Sequence, residues 1–188
     1  MNFNQVDKAE HTMAGKILII YATRTGATKG IADFMGETLE ALGAQVDVVP
    51  VHSAGDVSGY RAIIAGSAVQ AGKLMPEVVE FVRRNKDVIS GKPFAAFLVC
   101  MTLAMKSGNQ YTSFVQGWLE PMRSFVKPIK EGYFAGILDI KKVPSFADRL
   151  KFKLSVMFGV WNEGDHRDWN AIRLWTTELK KAIDSTAL

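Results

Sequence analysis

The sequence predicts an α/β fold in which five parallel strands form a doubly wound sheet of order 2-1-3-4-5, with a long insert before the last helix. Two observations predict it. Short, wholly apolar segments alternate with segments whose apolar residues recur at helical spacing. The first apolar segment also runs straight into a turn of threonines and glycine that opens a helix. Strand and helix in alternation give a parallel sheet covered on both faces, whose strands read as continuous apolar runs. At 188 residues the chain suits one domain and is long enough to bury a sizeable core.

The first strand is 16–22 (KILIIYA), apolar and β-branched as burial on both faces requires. The polar turn 23–28 (TRTGAT) ends it. Ile31, Phe34, Met35, Leu39 and Leu42 then share a helical face, and Gly43 supplies the stop. Residues 46–49 make the second strand and 62–65 the third, which ends in Gly66-Ser67. A helix over 75–85 follows, with Pro76 suited to its first turn. The fourth strand is 94–100 (FAAFLVC). Residues 111–125 read as a helix interrupted near Pro121, and 133–137 as the fifth strand. The last helix starts at Asp168, a good N-cap, and carries Ile172, Trp175, Leu179 and Ile183 on one face. Residues 138–167 are too long for an ordinary connection and read as an insert. Residues 1–15 are expected to be a disordered extension of a domain over 16–188, with Met13 as an alternative start.

Hydrophobic residues make up 48% and charged residues 22%, a globular composition. No segment approaches about 18 consecutive apolar residues, and the first dozen residues lack the apolar stretch of a secretory signal. Cys100 is the only cysteine, which excludes an intrachain disulfide and a cysteine metal cluster and makes a reducing cytoplasm the expected compartment. A net charge of +4 suits phosphates, anionic membranes or acidic partners. The cations form no aromatic-interleaved patch and no nucleic-acid module, so nucleic acid is not an expected partner.

In a doubly wound sheet the ligand sits beyond the carboxyl ends of the strands, over the turns after strands one, three and four. The first of these turns is Thr23-Arg24-Thr25-Gly26-Ala27-Thr28. It stands at a helix N-terminus, whose unpaired N–H groups and positive dipole end make an anion site. The hydroxyls of Thr23, Thr25 and Thr28 can donate to phosphate oxygens, and Gly26 lets the backbone approach closely. Arg24 adds a charge that either meets the phosphate or faces water. No G-K-[ST] follows and G-x-G-x-x-G is absent, so the turn is neither a Walker loop nor a dinucleotide fingerprint.

This turn resembles the phosphate loop of the flavodoxin family, T/S-x-T-G-x-T straight after the first strand. The resemblance implies a flavodoxin-like fold and bound flavin mononucleotide (FMN). It extends to a second flavin loop at Gly66-Ser67-Ala68-Val69-Gln70-Ala71-Gly72-Lys73 and a third at 100–106, including Thr102, Leu103 and Ala104. Within the family the chain is most similar to the menaquinone-dependent protoporphyrinogen dehydrogenases. It shares their Thr-Arg first loop and the Gly–Lys close of the second loop. It also shares a D-R-[LF]-x-x-K-L stretch at 148–154 and the Asp168-Trp169 pair that opens the last helix. The resemblance spans about 16–183. It implies an oxidoreductase whose electron partner is a quinone or a redox protein. Thr25 stands where that branch carries Asp, and Gln70-Ala71 where it carries an Arg-Tyr pair.

Two functions follow from that resemblance: a dehydrogenase passing electrons from an organic substrate to a quinone, and a flavodoxin-type carrier with no substrate of its own. Carriers of this family are typically acidic, whereas this chain is basic, which favours the enzyme. No residue is assigned a catalytic role. Trp161 and Trp169 either stack on the flavin or pack the insert against the sheet. His166 reads as an acid near the flavin or as a solvated loop residue, and Cys100 as a small apolar residue closing a strand or as a redox thiol. In the insert, Phe146, Leu150, Leu154, Met157, Phe158 and Trp161 share a helical face flanked by Arg149, Lys151 and Lys153. That face either meets a membrane from the cytoplasmic side, with the cations reaching lipid headgroups, or packs on the chain's own core or a second subunit of a homo-oligomer.

Overall fold

Strand β1 (Lys16–Ala22) is buried from Ile17 onward, and its side chains alternate between two cores. The computed structural model describes residues 15–105, 108–143 and 145–186. Helix α1 (Ala27–Ala41) follows β1 and leads to β2 (Gln45–Pro50), which pairs parallel to β1. Gly43, at φ 81°, turns the chain between them, where a side chain would be strained. Strand β3 (Ala62–Gln70) pairs parallel to the other edge of β1, and β4 (Lys73–Leu74) folds back antiparallel on it. Helices α2 (Pro76–Arg84) and α3 (Lys86–Ser90) lead to β5 (Phe94–Cys100), and α4 (Thr112–Gly117) and α5 (Glu120–Arg123) to β6 (Lys130–Ala135). The five parallel strands lie in the order β2-β1-β3-β5-β6, which is the expected order once the hairpin strand β4 is set aside. A flavodoxin-like doubly wound sheet is therefore the fold.

On one face Ile17, Ile19 and Tyr21 pack with Phe97, with Ile31, Met35 and Leu39 of α1, and with Ile172, Leu179 and Ile183 of α7 (Trp169–Thr186). On the other, Leu18 and Ile20 pack with Val78, Phe81 and Val82 of α2, Ile89 of α3, Val115 of α4 and Met122 of α5. At the centre of the sheet Gly66 lies beside Phe97 in the β3–β5 register. A Cβ at position 66 would overlap the Phe97 ring.

Three expectations are corrected. The third strand runs to Gln70 rather than 65, because Ser67 and Ala68 pair with Leu98 and Val99, and Val69 and Gln70 pair with β4. The fifth strand begins at Lys130. Its two charged residues pair in register with Ala95 and Ala96 while their charges meet Glu178 and Arg123 at the surface. The interrupted helix is two short ones. The fifth strand also ends at Ala135, and the expected insert is closed at its base by β7 (Ile137–Leu138) pairing antiparallel with β8 (Gly164–Asp165), while its helix α6 (Phe146–Met157) contains no buried residue. Its apolar face does not pack on the core of this chain. Residues 1–14 of the extension expected over 1–15, and Lys106 of the third loop, lie outside the described residues.

Candidate functional site

The ends of three neighbouring strands stand in register: Ala22 beside Ser67, Ser67 beside Leu98, and Ala68 beside Val99. The turns after β1, β3 and β5 therefore open from one edge of the sheet. From β1 the chain passes first to β2 on one side and then to β3 on the other, so the order reverses between β1 and β3. That reversal leaves a crevice above those two strands.

In the first turn Gly26 takes a left-handed conformation, φ 94°, as the N-cap of α1. Its amide donates to the Thr23 hydroxyl at 3.1 Å, and its carbonyl accepts from Gly30 at 3.0 Å. Among the described residues no side chain caps the N-terminus of α1, and no acidic residue stands in its first turn. The positive end of the helix is thus left to an anion from outside. Thr25 is partly exposed, Arg24 is exposed, and Ala27 and Thr28 are buried. The Thr28 hydroxyl is fully buried and has no hydrogen-bond partner among the described residues. Such an orphan costs about 1–3 kcal/mol unless a ligand supplies the partner.

The second loop is a hairpin. Val69 pairs with Leu74 and Gln70 with Lys73, and between them Ala71 (φ 50°) and Gly72 (φ 74°) form a two-residue turn with both residues left-handed. Ser67 is fully buried and its hydroxyl is engaged within the protein, donating to the Ala68 carbonyl and accepting from the Met75 amide, both at 2.8 Å. Ser67 therefore fixes the hairpin on the sheet, while Ala68 and Val69 are half-buried and Gln70, Gly72 and Lys73 are exposed beyond it. The third loop, with Thr102, Leu103 and Ala104 in one turn of 3₁₀ helix, lies half-buried across the ends of β5 and β6.

Trp161 joins the insert to this third loop: its indole N–H donates to the Met101 carbonyl at 3.0 Å and its ring lies 5.4 Å from Phe152 of α6. Trp169 packs on Phe34 of α1 at 4.9 Å, the packing alternative. His166 shares a 2.7 Å hydrogen bond with the Asn162 carbonyl, within the loop itself. Burial pushes the Cys100 thiol up, away from the thiolate a redox role requires.

Two features escaped the sequence reading. Trp118 stands over Gly72, and with Lys73, Leu74, Pro76, Val79 and Pro121 it lines a cavity of about 550 Å³ beside the second loop. The Phe114 to Trp118 spacing, one helical turn, was the available signal. Arg167 lies against Gly30 in the second turn of α1, where a Cβ would overlap its Nη1. Asp165 holds it at 2.6–2.8 Å and Trp169 lies beneath it, so this cation stands close to the first turn.

The family described as Flavodoxin domain matches residues 18–166. Protoporphyrinogen IX dehydrogenase (quinone) of Escherichia coli strain K12 is 27% identical over 183 residues, covering 92% of this chain and 99% of that protein. A flavodoxin of Streptococcus pneumonia TIGR4 superposes with a TM-score of 0.55 at 16% identity, covering 91% of this chain and 99% of that one. The rubredoxin oxygen:oxidoreductase of Desulfovibrio gigas superposes with a TM-score of 0.52 at 17% identity over 91% of this chain, which spans only 36% of that larger protein.

Proposed function

The chain belongs to the Flavodoxin domain family, and we propose that it is an FMN-dependent oxidoreductase that delivers electrons from an organic donor to a quinone. The observation that carries the cofactor assignment is the first turn. It is an uncapped helix start with no acidic residue in its first turn, carrying the Thr23, Thr25 and Thr28 hydroxyls, with the Arg167–Asp165 pair against Gly30. The residues present fit a flavin phosphate. When bound, FMN supplies hydride or single-electron transfer, the chemistry that links a two-electron donor to a quinone.

The chain's own work is to bind, orient and exclude water. Backbone N–H groups of Ala27, Thr28 and Lys29 would hold the phosphate, with Thr25 and Thr28 as added donors. The hairpin at Ala68–Lys73 and the loop at Thr102–Ala104 follow the strands that border the crevice and would hold the ring system. Leu103 packs onto the core, which keeps the third loop from swinging into that space. The quinone assignment is supported by the printed name of the Escherichia coli relative and by the basic charge of the chain, +4, which is unlike an acidic carrier.

The test is multiple turnover. With protoporphyrinogen IX and a menaquinone analogue, the flavin-loaded protein is expected to oxidise many equivalents of substrate per flavin. Flavin reduction that stops at one equivalent, together with fast exchange with a ferredoxin-type partner, would make the chain a carrier instead.

A further inference from the structure

The insert helix α6 sits on the protein by its less apolar side. Asp148, Arg149, Phe152, Ser155 and Val156 are half-buried, and Arg149 is tied to the Val143 carbonyl rather than projecting from the flank. The opposite face holds Phe146, Leu150, Leu154, Met157 and, just past the helix, Phe158. These are all exposed, Phe146 by 80%, Met157 by 70% and Phe158 by 75%. Lys153 borders that face on one side and Lys151 on the other, both exposed, with Lys141 and Lys142 exposed just before the helix. Only one acidic residue lies on α6: Asp148, on the inward side, within 3.5 Å of Lys151. Contiguous exposed apolar side chains of this size mark an interaction surface.

We propose that this face of α6 docks on an anionic lipid surface, lying in its plane with the apolar side chains below the headgroups and Lys151 and Lys153 among them. No helix among the described residues is long and apolar enough to cross a membrane, and α6 at 12 residues is about 18 Å long. It can only lie flat. Charge selects lipid over a second copy of the chain. Two α6 faces packed on each other would bring lysine borders together with no outward acid to meet them. A footprint about 18 Å long and 10 Å wide also falls far below the ~800 Å² per partner of a stable interface. Lysines at the border of a buried apolar face place their charges at headgroup level. Trp161 ties the insert to the Met101 carbonyl, so docking would bring the third loop near the lipid surface. The docking surface does not depend on the cofactor assignment.

Flotation with large unilamellar vesicles tests this. The full chain is expected to float with vesicles of phosphatidylcholine and phosphatidylglycerol, to bind phosphatidylcholine alone at least tenfold more weakly, and to be released from anionic vesicles by added salt. Leu154→Asp and the pair Lys151→Glu, Lys153→Glu should each reduce partitioning more than tenfold, with melting temperature and bound flavin unchanged, since these side chains face outward. Wild-type protein that stays in the soluble fraction at every composition would overturn the proposal. So would a Leu154→Asp variant that melts lower or splits a dimer, because protein would then cover the face.

Discussion

Thr28→Val is expected to lower FMN affinity at least tenfold while leaving the flavin-free chain as stable as the wild type or more so. The two effects separate because the hydroxyl is buried without a partner among the described residues. Inside the folded chain it contributes only its desolvation cost, about 1–3 kcal/mol, and a methyl group of the same shape removes that cost. Toward a phosphate the same hydroxyl is a donor to a charged acceptor, worth about 1.5–3 kcal/mol. Calorimetric titration with FMN reads the first effect, and thermal melts of the flavin-free protein read the second. A variant that binds FMN normally but melts several degrees lower would show that Thr28 serves the fold and not the ligand.

Gly66→Ala is expected to destabilise the chain by about 3 kcal/mol, as overpacking in a tight core does. Gly66 sits in the central strand β3, and the Phe97 ring occupies the space its Cβ would need. Phe97 cannot swing away. It is fully buried, with Phe134 at 6.1 Å and Trp175 at 6.4 Å against its edges. Chemical denaturation gives the magnitude, and Gly66→Ala with Phe97→Leu should recover much of the loss because the two positions share one space. A cost below about 1 kcal/mol for the single variant would mean that the ring and strand yield easily.

Strands buried on both faces were legible in the sequence. Lys16–Ala22 and Phe94–Cys100 have the bounds their apolar composition implies, and Asp168 caps α7 by accepting from the Ala171 amide at 3.0 Å. Composition failed where pairing decided the structure. Nothing local marks Ser67 to Gln70 as strand. They are held there by Val99 on one side and by the β4 hairpin beyond, which needs the left-handed Ala71 that sequence preference disfavours. Lys130 and Glu131 likewise belong to β6 because partners across the surface neutralise them. At the candidate site the first turn was readable because a helix start is a local object. Trp118 and Arg167 were not, since each reaches its place through tertiary packing from a distant segment. The apolar face of α6 was visible as a pattern, but only the structure shows which side of the helix is covered.

The most direct test of the central claim is titration calorimetry of the flavin-free protein with FMN, riboflavin and FAD in parallel. A first turn that holds a terminal monophosphate through several charge-assisted bonds predicts FMN binding near one per chain and roughly 100-fold tighter than riboflavin, with FAD also weak. Equal affinity for FMN and riboflavin would contradict it, because the phosphate would then contribute nothing and the loop between β1 and α1 would be no more than a helix start.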